Sequence, residues 1–227
     1  MAWSLVQQQA TQSTAGAGSL PANSTAGNLL IAVAGNGSAT AITAPSGWSS
    51  VKSITNGTIS EVYIWAYFNT VGGQAAFTFA GGSGALSVSV AEFTCTSVAT
   101  VAAASDTGSG VAGAVAAITV ATAGTAHAGD LVICGAMEHL TATSAITWTA
   151  PTSFTNISTL AVATATNHTY AGQRLSAASA GAQSVIMTSS VASTSATGWT
   201  GVVATFSEPG GAAIGTPELI MAVPTGA

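Results

Sequence analysis

Hydrophobic positions along this chain fall in short runs of period two, separated by clusters of Gly, Pro, Asn and Ser. Leu86, Val88, Val90 and Glu92 alternate with Ser87, Ser89, Ala91 and Phe93. That alternation places one set on each face of a strand and lacks the 3.6-residue stripe of a helix. Over residues 62–68, Val62, Ile64, Ala66 and Phe68 share one face, and Tyr63, Trp65 and Tyr67 share the other. Such a strand is either covered on both faces or presents an aromatic face for contact. Residues 3–9, 29–34, 51–54 and 75–79 complete the strand-like segments of the first half.

The pattern then repeats. Ala26-Gly-Asn-Leu-Leu-Ile-Ala-Val33 is answered by Ala128-Gly-Asp-Leu-Val-Ile-Cys134, and Ile42-Thr-Ala-Pro-Ser-Gly-Trp48 by Ile146-Thr-Trp-Thr-Ala-Pro-Thr-Ser-Phe154. The strand ending at Phe93 is answered by the one ending at Phe206. Anchors that keep their order mark an internal repeat. Many short strands in halves of this size predict an all-β protein: two pseudo-repeated antiparallel β-sandwich (jelly-roll-like) units, at residues 1–96 and 97–208. A single sandwich with pseudo-symmetric halves is the alternative. Residues 209–227, with Pro209, Pro217 and Pro224, read as an extended C-terminal arm.

Composition narrows the function. Of 227 residues only nine are charged, two basic and seven acidic, where an average chain would carry roughly 57. Two basic residues do not neutralise a phosphate backbone, so no nucleic-acid partner is expected. A hydrophobic fraction of 48% excludes a highly charged disordered chain. The longest weakly polar run, 111–126, is interrupted by Gly113, Thr119, Thr122, Gly124 and Thr125, so no membrane association is expected. The opening residues show neither a basic n-region nor an apolar h-region, which points to synthesis in the cytoplasm without a signal peptide. Cys95 and Cys134 read as small buried thiols rather than a disulfide framework.

Chemical motifs are sparse. Gly108-Ser-Gly-Val-Ala-Gly113 spells a dinucleotide fingerprint, but the β-branched residues after it oppose the helix that motif needs. The repeat places it opposite a loop of the first half. His127, His139 and His168, with Asp130 and Glu138, have no metal-binding spacing. Glu61 and Glu92 sit on strands that pairing would make neighbours, yet the second half does not reproduce them. No catalytic residue, cofactor or metal is expected. Trp48 and Phe154 follow matched prolines and read as packing residues. Trp148, Tyr170 and Trp199 are candidates for a ligand-stacking surface.

With these residues in view, the chain resembles a broad group of phage and prophage virion-surface proteins. The resemblance rests on Ser4-Leu-Val-Gln7, Ala26-Gly-Asn-Leu-Leu30, Pro45-Ser-Gly-Trp48, Phe77-Thr-Phe79 and Val90-Ala-Glu-Phe93. It covers residues 1–95 and, in degraded form, 98–207. It implies a β-sandwich that acts by assembly and carries no catalytic residues. The expectation is a capsid decoration (cement) protein on the virion surface, self-associating as a homotrimer and contacting the major capsid protein or other virion proteins. Trp3, Leu5, Leu219, Ile220, Met221 and Val223 are the candidate intersubunit contacts. A tail- or surface-located receptor or carbohydrate-binding module, using Trp148, Tyr170 and Trp199, is the alternative. A filament or surface-layer subunit is a third reading.

Overall fold

The computed structural model describes residues 3–13, 16–38, 40–57, 60–68, 71–81, 86–94, 106–112, 115–124, 126–140, 145–160, 167–175, 179–192 and 198–207. Every regular element among them is a β-strand. In the first half these are β1 (Ser4–Ser13), β2 (Ala17–Ser19), β3 (Leu29–Asn36), β4 (Ile42–Thr43), β5 (Ser49–Asn56), β6 (Ser60–Phe68), β7 (Ala76–Thr78), β8 (Ala80–Gly81) and β9 (Leu86–Thr94). In the second they are β10 (Asp106–Ala112), β11 (Ala117–Ala121), β12 (Leu131–His139), β13 (Trp148–Thr149), β14 (Thr155–Leu160), β15 (Asn167–Arg174), β16 (Ser184–Ser189) and β17 (Trp199–Phe206).

All strand pairs are antiparallel. Two five-stranded sheets run β1-β9-β3-β6-β5 and β10-β17-β12-β15-β14. Short strands form smaller sheets: β2-β7, β4-β8 and β11-β16-β13. The two large sheets face each other. Leu29, Ile31, Val33, Ile64 and Phe93 of one pack with Leu131, Ile133, Met137, Val202 and Phe206 of the other in one core. β1 lies over β14, and β5 over β10 and β17. The opposite face of the first sheet packs under β2, β4 and β7, around Leu30, Ala32, Val88, Val90, Phe77 and Phe79. That of the second packs under β11, β13 and β16, around Val132, Cys134, Ile118, Val185 and Met187.

This layering explains a detail of the sequence pattern. A strand covered on one face alternates, whereas one covered on both reads as a continuous buried run. β3 and β17 are buried at every position, and β9 and β12 at all but the last. The serines in β9 are therefore interior too: Ser89 hydrogen-bonds Ser158 of β14 across the sheets.

Matching turns of the two halves are closed by matching residues. Asn28 N–H donates to Thr25 O (3.3 Å) and Asp130 N–H to His127 O (3.2 Å). Gly27 and Gly129 take the positive φ, 87° and 90°, that such turns require. Trp48 N–H donates to Pro45 O and Phe154 N–H to Pro151 O, with Gly47 (φ 89°) and Ser153 (φ 68°) at the third position of each turn. Trp48 and Phe154 both pack, half-buried, against the outer cores.

One local expectation fails. The repeat sets the glycine-rich stretch from Gly108 opposite a loop, whereas residues through Ala112 form edge strand β10, paired with β17. Gly108 is there because a Cβ would collide with the Ala121 carbonyl. Cys95 and the arm carrying Leu219, Ile220, Met221 and Val223 lie outside the described residues.

Candidate functional site

Trp148, Tyr170 and Trp199 do converge, but inside the protein. Trp148 lies 5.5 Å from Tyr170 and 5.3 Å from Trp199 between ring centroids. Their exposures are 8%, 0% and 0%, and the Trp199 indole N–H donates to Val115 O at 2.7 Å. These rings fill the core between β12, β15 and β17 and the overlying small sheet, so they offer no stacking face to a ligand. That expectation is corrected: the small sheet β11-β16-β13 covers these rings, and its short strands were not legible in the sequence. In the first half, Tyr63, Trp65, Tyr67 and Trp48 are half-buried. Tyr63 stacks on Trp65 at 5.5 Å and Trp48 on Tyr67 at 5.7 Å. Those rings spend faces on one another.

The carboxylates are also turned inward. Glu61, Glu92 and Glu138 are 0% exposed and Asp130 is 2%. Glu92 accepts hydrogen bonds from Thr25 N–H (2.7 Å), Asn28 Nδ2 (2.6 Å) and Gln7 Nε2 (2.5 Å). It ties the turn before β3 to β1 and β9. Asp130 does similar work in the second half, accepting from His127 N–H at 2.9 Å. Glu61 is raised from its ordinary value to about 7 by burial, with the Tyr63 hydroxyl (3.3 Å) pulling it back. Burial likewise raises Glu138 to about 7, opposed by the Ser189 hydroxyl. The Cys134 thiol, fully buried, is pushed up by burial and donates to Gly172 O at 3.7 Å.

Glu61 and Glu92 are not neighbours. Both flank β3, but opposite Asn36 and Leu30 respectively, six residues and about 20 Å apart along the strand. They do not form the facing pair that glycoside hydrolysis uses. Glu138 pairs with His168 across β12 and β15. Among the described residues no three His, Cys, Asp or Glu side chains gather as a metal site would require.

Apart from Lys52, Arg174 and His127, the surface of the described residues is mostly uncharged edge and face. Trp3, expected at an intersubunit contact, is 2% exposed in the core between the large sheets; an indole is too large an apolar group to leave outside when that core lies beside it. Leu5 is partly buried against the same core. β1 itself continues to Ser13 and, among the described residues, pairs on one side only, with β9. Its ten residues include no charge and no proline, and Val6 is 47% exposed. The expected segment stopped at Gln9; the lack of any charge or proline through Ser13 was the signal for the longer strand. A shallow groove of about 350 Å³ on the outer small sheet of the second half is lined by Thr149, Pro151, Ser184, Ile186 and Thr188. Ile186 is 54% exposed there.

No family model, curated protein or solved structure matches the chain.

Proposed function

We propose that this chain is a non-enzymatic structural protein of a phage particle, a capsid decoration subunit that acts through surface contact. The observation that carries the reading is the inward placement of Glu61, Glu92, Asp130 and Glu138. It leaves a surface with even less charge than the composition implies. Interfaces are depleted of charge at their centres because desolvating an ion is costly. A surface of Ser, Thr, Ala and Gly packs closely against other subunits without that cost. Many weak copies of one contact then sum over a lattice.

The reading includes an internal repeat of two jelly-roll-like sandwiches. The orders β1-β9-β3-β6-β5 and β10-β17-β12-β15-β14 correspond strand for strand. The bulge between Ser50 and Lys52 has its counterpart between Asn156 and Ser158. Its partners are the major capsid protein or other virion proteins, and further copies of itself. Its location is the virion surface. The carbohydrate-binding alternative loses its platform with Trp148, Tyr170 and Trp199 buried.

Quantitative mass spectrometry and cryo-EM of purified particles test the proposal. A fixed, large copy number on the head is the expected result. Finding the chain only at the tail tip, or absent from particles, overturns it, and filaments formed by the isolated chain would favour the third reading.

A further inference from the structure

Four strands edge the two large sheets: β1, β5, β10 and β14. An open edge is a template for another strand, and proteins that stay monomeric blunt it with charge, proline, bulges or cover. β5 carries Lys52 and a bulge after Ser50. β14 has six residues and a bulge after Asn156. β10 opens with the charged residue Asp106. β1 is the least guarded. Its one irregularity lies between Leu5 and Gln7, and from Gln7 to Ser13 it pairs with β9 without interruption.

We infer that β1 is a self-association edge, pairing antiparallel with β1 of a second copy of this chain across a two-fold axis at mid-strand, beside Gln9. Three observations select that occupant. First, a two-fold strand pair brings the residues nearest the axis against their own copies, so a charge there would face its own kind; residues 1–51 contain none. Second, the exposed positions Ser4, Val6 and Gln9 mix an apolar group with hydroxyl and amide groups that pair with themselves. Third, β1 does not stand alone at that side. The Gln8 amide donates to Asn156 O at 3.3 Å, holding β14 beneath it. A partner must match two stacked edges, and a second copy related by a two-fold presents both. The joined sheet would be continuous through β9-β1-β1-β9. This inference rests on the assembly reading above and names one of its contacts, a two-fold pair in place of the expected trimer.

Analytical ultracentrifugation of the full chain tests it independently of any particle. The wild type is expected at the mass of two chains, and Gln9→Lys is expected to weaken the pair about tenfold. Thr43→Lys, at the exposed position of a strand in another sheet, should leave it unchanged. Mixing Gln9→Lys with Gln9→Glu chains should restore the dimer, which separates loss of pairing from loss of folding. A wild-type monomer at about 100 µM, or an oligomer indifferent to both Gln9 variants, overturns the inference. Either result leaves the particle-location test standing.

Discussion

Ser153 holds φ at 68°, a conformation that costs an L residue roughly 1–2 kcal/mol and glycine almost nothing. The corresponding turn of the first half has Gly47 there. Ser153→Gly is therefore expected to stabilise the fold by up to about 1 kcal/mol once the added freedom of the unfolded chain is counted, and so to raise the melting temperature. Gly47→Ser should lower it by more, since a Cβ there comes within 2.8 Å of the Tyr67 ring. Differential scanning calorimetry of both variants checks the signs. The two raised carboxyls make a second residue-scale prediction. Glu61 and Glu138 keep their protons in the fold up to about pH 7, whereas unfolded they release them near 4.5. Between those values the unfolded state binds fewer protons, so stability falls as pH rises from about 4.5 to 7 and is not regained above. Thermal unfolding should occur at higher temperature at pH 5 than at pH 8, and Glu61→Gln and Glu138→Gln should each shrink the difference. A melting temperature that rises over that interval would refute the assignment. Sequence showed which turns carried glycine, because Ala-Gly-Asn and Pro-Ser-Gly have a local mechanism. It did not show that these acids are interior, because burial depends on sheets contributed from elsewhere in the chain.

At the scale of elements, β3 and β12 cross at the centre of the molecule with glycine opposed to bulk. A Cβ on Gly135 would come within 2.5 Å of Val33 Cγ1, and one on Gly35 within 2.6 Å of Thr169 Cγ2 and 3.4 Å of Met137 Cβ. Neither glycine has a positive φ, so the demand is for space and not for backbone freedom. Gly135→Ala should cost about 1–3 kcal/mol by overpacking. Val33→Ala vacates the same space, so the double variant should be more stable than the sum of the two losses by about 1 kcal/mol. Strict additivity in chemical denaturation would mean that the strands do not touch there. The long strands were legible from sequence because their apolar runs are continuous or alternate. β2, β4 and β8 were not, since two or three residues carry no period. These short strands, with β7, cover the first large sheet, and β11, β13 and β16 cover the second. Missing the cover is why Trp148, Tyr170 and Trp199 read as a surface.

For the whole molecule, the decisive feature is that the central core belongs to neither half alone. Leu29, Ile31, Val33, Ile64 and Phe93 share one buried cluster with Leu131, Ile133, Met137, Val202 and Phe206. A first half without the second would expose that entire face, an apolar area that monomers do not tolerate. The two halves should therefore unfold in one cooperative transition in spite of their repeated topology. Ile64→Ala provides the test. Its cavity should cost about 2–5 kcal/mol, and in a cooperative unit the loss reaches residues it does not contact. Hydrogen exchange at the β12 and β17 amides, in the other half, should accelerate together with exchange at β3 and β6. Two separate transitions, or a second half whose protection is unchanged, would mean that each sandwich stands by itself. The repeat would then be a pair of linked modules, each free to carry its own contact. A single transition instead makes the stacked pair one rigid body, whose β1 and β14 edges keep a fixed spacing. A second copy recognising both edges at once requires that rigidity, because two edges that shifted independently would lose ordering entropy on every encounter.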